Sequence, residues 1–134
     1  MNARGHRSTS LALAAVFMSA ILSATEAPAP AVGCKTSPQV LEACRWVKGR
    51  VMATNGTPSM RLFDAGSRRV LGIVPSEAEN VPPELAKKFH TVAFHGQILG
   101  DFQFCPYTSA VPGHMQMGCI EAARGLTVQM FSSK

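Results

Sequence analysis

The stretch Arg45–Val74, RWVKGRVMATNGTPSMRLFDAGSRRVLGIV, decides the fold. Apolar and polar residues alternate on both sides of Asn55-Gly56, and Thr57-Pro58 follows directly. A period of two flanking an Asn-Gly pair is the signature of strands joined by a tight turn. The first strand is expected at about Arg45–Thr54 and the second at about Ser59–Asp64. After a second turn at Ala65-Gly66-Ser67, a third strand covers about Arg69–Val74. The stretch reads as a three-strand meander. Asn55-Gly56-Thr57 also matches a glycosylation sequon, but Pro58 behind it makes a chance match the better reading.

Residue parity assigns the two faces. If Thr54 faces Ser59, then Met52 faces Arg61 and Arg50 faces Phe63, with Trp46 and Lys48 on the same side. Val47, Gly49, Val51, Met60 and Leu62 take the opposite side and make core. Joining the third strand with Phe63 opposite Arg69 adds Arg69 to the outer face. Trp46, Lys48, Arg50, Arg61, Phe63 and Arg69 are therefore the candidate ligand-binding residues. Cations beside flat rings suit phosphate or carboxylate groups on a chain whose rings can stack. Outward strand positions in any small exported domain must also be polar, so these cations have a purely solvating role as their alternative. Gly49 and Gly72 suit bends or close backbone approach.

Beyond the meander the period changes. Asn80 is a candidate helix cap, Pro82 and Pro83 suit a first turn, and Glu84 complements the positive end of the helix dipole. Leu85 and Phe89 share one face of a short helix, with Lys87 and Lys88 towards its C-terminal end. HGQILGDFQFC (residues 95–105) returns to alternation as a fourth strand. HMQMGCIEAARGLTVQMF (residues 114–131) is a fifth, which either continues through Gly125 or breaks there. The expected fold class is mainly β: a five-stranded barrel with one short helix between strands three and four. That order is the one found in oligonucleotide/oligosaccharide-binding (OB) barrels. GRVMATNGTPSMRLFDAGSRRVLGI, GDFQFCP and PGHMQMGC together resemble a group of uncharacterised exported bacterial proteins with a small OB-like barrel. The resemblance covers Arg45 to about Glu121. It implies a fold and a compartment and carries no catalytic residue.

Residues 1–31 read as a leader. Arg4 and Arg7 precede the apolar run Leu11–Leu22, which is too short to span a bilayer, and small residues and prolines follow. Cleavage is expected after Ala27 or Ala31, leaving residues 32–134 as a single OB-like domain in the periplasm or outside the cell. No second apolar run offers a transmembrane segment to the mature chain. Ala31-Val32-Gly33-Cys34 also resembles a lipoprotein box, but with Ala31 where a large aliphatic belongs, so lipid anchoring at Cys34 is the lesser reading. The formal charge of +5 falls by one unit when Arg4, Arg7 and Glu26 leave with the leader. Such a balance permits anionic partners without requiring them. A cell-envelope protein, an anionic glycan or a lipid head group fits the compartment; nucleic acid does not.

All four cysteines follow the leader, and in an oxidising compartment they read as two disulfides. Local pairing is expected: Cys34 with Cys44, and Cys105 with Cys119. The second pair fixes a hairpin register with Phe104 facing Ile120 and Phe102 facing Ala122. Ile98, Phe102, Phe104 and Ile120 then mark the core side, and Met115 and Met117 point outward. Alternate outward methionines are soft ligands for Cu(I), which makes a copper-binding protein using Met115, Met117 and His114 the alternative function. A disulfide removes the better sulfur ligands, and methionines also serve as gap fillers. His90, His95 and His114 are not expected to converge on zinc. No nucleophile elbow or phosphate-binding glycine loop is present in the sequence. Asp101 and Glu121 are the one acidic pair on a common face. The expectation is a non-enzymatic binding module with no cofactor.

Overall fold

The meander forms where alternation places it. In the computed structural model, which describes residues 33–74 and 81–133, β1 (Arg45–Ala53), β2 (Met60–Asp64) and β3 (Val70–Ile73) follow one another antiparallel. Arg50 pairs with Phe63 and Met52 with Arg61. The Thr54 amide closes the first turn on the Ser59 carbonyl at 2.8 Å. Val47, Val51, Met60 and Leu62 are buried on the inner side, as their parity requires. Gly49 belongs to that side for a different reason: a Cβ there would collide with the Phe63 carbonyl oxygen.

The second turn shifts the register by one residue from expectation. Phe63 faces Val70, not Arg69. Asp64 causes the shift by organising the whole turn. Its amide donates to Arg69 O at 2.9 Å and its carbonyl accepts from the Arg68 amide at 2.8 Å. Its carboxylate accepts from the amides of Gly66 (2.9 Å) and Ser67 (3.2 Å) and from the Ser67 hydroxyl (2.7 Å). The loop therefore holds residues 65–68, with Arg68 in the left-handed region at φ 61°, and Arg69 pairs with Asp64. A one-residue slip moves a side chain to the other face. Arg69 consequently leaves the outer row of the meander.

The helix α1 (Pro83–Val92) has Pro82 as its N-terminal boundary residue and no side-chain cap. The expected cap Asn80 lies outside the described residues. Leu85 and Val92 bury one face of α1 against the sheet, with Phe89 packed partly beneath. β4 (Gly96–Pro106) and β5 (Gln116–Met130) form the long hairpin, and β5 continues through Gly125 at φ 63°. Neighbouring strands run in the order β1-β2-β3-β5-β4, and β4 returns to β1, so the sheet closes in a ring. β3 and β5 are parallel, with Gly72 opposite Met117. Phe102, Phe104, Ile98 and Ile120 fill the interior together with Leu62, Leu71 and Ile73. Cys105 faces Cys119 and Phe104 faces Ile120, as the hairpin register requires. A shift between Gln103 and Phe104 then brings Ala123, not Ala122, opposite Phe102.

The disulfides correct the local pairing. Cys34 bonds Cys119 and Cys44 bonds Cys105, across 85 and 61 residues of sequence. Residues 33–44 cross the outer face of the hairpin and present one cysteine to each member of the opposed pair. The Leu41 amide donates to Pro106 O at 3.0 Å, and the Lys35 amide donates to Glu121 Oε2 at 2.7 Å. Val40 and Tyr107 pack around the sulfurs, which is why outward-facing Cys105 is nonetheless buried. With Cys34 in a disulfide, its sulfur is not free for the thioether link of a lipoprotein. Two disulfides suit a non-cytoplasmic, oxidising compartment. Among the described residues, no helix is long and apolar enough to cross a membrane. The expected leader, residues 1–31, lies outside the described residues.

Candidate ligand surface

Strand pairing on the outer side of the ring lays side chains in transverse rows. One row runs Arg50, Phe63, Val70 across β1, β2 and β3. The next runs Met52, Arg61, Gly72 and then Met117 on β5. Arg50, Met52, Thr54, Arg61, Phe63 and Val70 line a half-open recess of about 260 Å³. The Arg50 guanidinium carbon lies 4.4 Å from the centre of the Phe63 ring, in cation–π contact. Arg50 Nε is buried, and among the described residues it has no hydrogen-bond partner. The Arg61 Nε donates to Pro58 O at 3.3 Å, which carries its guanidinium over Gly56 in the β1–β2 turn. Both cations border the recess, and no acid lines it among the described residues.

The six residues expected to share one surface divide into three groups. Arg50, Arg61 and Phe63 come together in the recess. Trp46 and Lys48 lie further along β1, beside β4. There Asp101 faces Lys48 Nζ at 4.0 Å and Arg124 Nε at 3.6 Å, and Arg124 stacks on Trp46 at 4.0 Å. The two cations are exposed, so these pairs contribute little stability, but Asp101 cancels much of the local charge. Arg69 turns to the β4–β5 loop and donates from Nη2 to Val111 O at 3.0 Å. A larger recess of about 380 Å³ is lined by Lys48, Asp101, Leu99 and three glycines and carries this already paired charge.

Sequence reasoning missed Met52, Thr54 and Val70 as lining residues. Met52 and Thr54 share the parity of Trp46, Lys48 and Arg50, so that pattern could have found them. Val70 required the register of the second turn.

The sulfur-rich segment also becomes specific. The Sδ atoms of Met115 and Met117 both stand within 3.0 Å of the point where a Gly72 Cβ would lie, next to Pro58 Cγ at 2.8 Å. Both methionines are half-buried, while His114 is exposed in the turn, its amide donating to Val111 O at 3.1 Å. The missing side chain at Gly72 thus makes the space that the two thioethers fill. Among the described residues, the His, Cys, Asp or Glu ligand atoms that converge are the sulfurs of Cys34, Cys105 and Cys119, and all three are held in disulfides. Asp101 and Glu121 are engaged separately, by Lys48 with Arg124 and by the Lys35 amide.

Asp64, the last residue of β2, is the one buried acid among the described residues. Burial alone would raise its pKa. The Ser67 hydroxyl, the amides of Ser67 and Gly66, and the charge of Arg45 outweigh that cost and hold the carboxyl below its ordinary value. Arg45 itself stacks on Phe104 at 5.1 Å and donates to Gln116 Oε1 at 3.1 Å. These contacts give both charged groups a place in holding the end of the ring. No family model, curated protein or solved structure matches this chain.

Proposed function

We propose that this is an exported, non-enzymatic OB-type module that binds an anionic glycan segment in the recess of β1–β3. The ring order β1-β2-β3-β5-β4 with the helix between β3 and β4 supports the OB reading. In OB barrels the ligand lies across strands two and three, between the first hairpin loop and the loop joining strands four and five. The recess is lined by residues of β1, β2 and β3, and Arg61 reaches the loop between β1 and β2 through Pro58, which supports this reading. The carrying observation is Arg50: a cation stacked on Phe63 that borders the recess, with no acid among the described lining residues to pair with it. A carboxylate or sulfate on a sugar ring resting against Phe63 would pair with that guanidinium.

Calorimetric titration with a uronic-acid oligosaccharide tests this reading, using wild type, Arg50→Gln, Arg61→Gln and Arg69→Gln. Loss of a charge-assisted hydrogen bond is expected to weaken binding about tenfold in the first two variants, and Arg69→Gln is expected to match wild type. Equal affinity in all four proteins, or binding of anionic vesicles or acidic peptides in place of the oligosaccharide, overturns it. A second reading, Cu(I) binding by Met115 and Met117, draws on the meeting of their sulfurs at Gly72. Cu(I) titration that finds wild type and Met115→Leu/Met117→Leu equally weak ends that idea.

A further inference from the structure

Four sulfurs gather on the outer side of the β4–β5 hairpin. The Sγ atoms of Cys34, Cys105 and Cys119 lie within 4.8 Å of one another, yet they belong to two different disulfides. Cys105 and Cys119 are also direct partners across the strands. Opposed residues in an antiparallel pair keep their Cα atoms roughly 4.5–5.5 Å apart, within the span a disulfide needs. The hairpin backbone therefore accommodates a Cys105–Cys119 bond, which leaves Cys34 and Cys44, ten residues apart on the crossing segment, as the remaining pair. We propose that Cys44 is a thiol-exchange site, through which an external thiolate shuffles the protein between these two disulfide isomers.

Access selects Cys44. Cys34, Cys105 and Cys119 are at most 3% exposed, and Cys44 alone retains partial exposure. Disulfide exchange proceeds by thiolate attack on sulfur. An external thiolate attacks Cys44 Sγ, forming a mixed disulfide there and breaking the bond to Cys105, which leaves as thiolate. That thiolate already lies beside the Cys34–Cys119 bond. It attacks Cys119 Sγ, forms Cys105–Cys119 and expels Cys34 as thiolate. Cys34 then attacks Cys44 Sγ, forms Cys34–Cys44 and returns the external thiolate. Electrons balance with no net oxidation, and the thiol acts catalytically. The new isomer removes both disulfide links between residues 33–44 and the hairpin, leaving the peptide bond to β1 and contacts such as Leu41 to Pro106 and Lys35 to Glu121. This inference is independent of the ligand proposed for the recess.

Tryptic mapping distinguishes the isomers. No Lys or Arg lies between Lys88 and Arg124, so Cys105 and Cys119 share one peptide, whereas cleavage at Lys35 and Arg45 separates Cys34 from Cys44. The observed pairing yields one species of three linked peptides. The exchanged pairing yields a two-peptide species and an internally cross-linked peptide 89–124. Incubation with substoichiometric reduced glutathione, then alkylation and digestion, is expected to convert part of the first pattern into the second. Cys44→Ala, which leaves Cys105 as a thiol, is expected to show the Cys105–Cys119 bond and a free Cys34 without added thiol. Persistence of the three-peptide species until both bonds are reduced overturns the proposal. So does alkylation of Cys105 in Cys44→Ala with Cys34–Cys119 intact. If that variant does not fold, the wild-type digest decides.

Discussion

Removing the outer disulfide with Cys34→Ala/Cys119→Ala measures how the crossing segment contributes to stability. The two bonds are nested, since Cys44–Cys105 spans 61 residues inside the 85 spanned by Cys34–Cys119. With the inner bond in place, the outer one closes only a further loop, made of residues 34–44 and 105–119. A loop of ~25 residues corresponds to about 3.5 kcal/mol of unfolded-chain entropy. The inner bond closes the longer open loop and corresponds to about 4.3 kcal/mol, so losing both removes about 8 kcal/mol. That sum is comparable to the whole stability of many small domains. Urea unfolding followed by Trp46 fluorescence, with a count of free thiols, provides the assay. The variant is expected to keep one disulfide, show no free thiol and lose about 3.5 kcal/mol, with a larger denaturant slope from its less constrained unfolded chain. Two free thiols refute the nested pairing. A loss below about 1 kcal/mol refutes the loop-entropy account.

Asp64→Asn tests the turn that sets the β2–β3 register. The folded-state pKa of Asp64 is depressed, so its stabilisation is complete above the unfolded-state value of about 3.9 and is lost as pH falls through the folded-state value. The variant is expected to be less stable by about 1–3 kcal/mol at neutral pH and to lose less stability than wild type below about pH 4; parallel pH profiles would refute the assignment. Gly72→Val places a side chain against Met117, Met115 and Pro58 and is expected to cost about 1–3 kcal/mol by overpacking. Adding Met117→Ala should restore part of the lost melting temperature, and no restoration would show that the sulfur does not fill that space.

Local chemistry alone specified much of this molecule. Alternation in Arg45–Asp64 and the Asn55-Gly56 turn determined which side chains of β1 and β2 point inward, because a period of two and a tight turn leave one register. The facing of Cys105 with Cys119 and of Phe104 with Ile120 was expected from a bond between those cysteines; the strands do face each other so, but the bond is not the one that forms. Parity failed at Arg69, because the carboxylate of Asp64 gathers a four-residue turn that no alternation pattern signals.

Longer-range contacts decided the rest. Cys105 and Cys119 stand side by side, but their bonding partners depend on residues 33–44 crossing the hairpin, and that crossing rests on contacts with Pro106 and Glu121. Parallel pairing of β3 with β5 likewise brings Met117 to Gly72, joining a sulfur from the last strand to the outer rows of the meander. Asp101 withdraws Lys48 and Arg124 from any shared cationic face, leaving Arg50 and Arg61 beside Phe63. Sequence by itself determined the strands and their inward faces, since those follow from neighbours a few residues apart. Tertiary structure decided the disulfide partners and the division of the cations, since both depend on which distant segments the closed ring brings into contact.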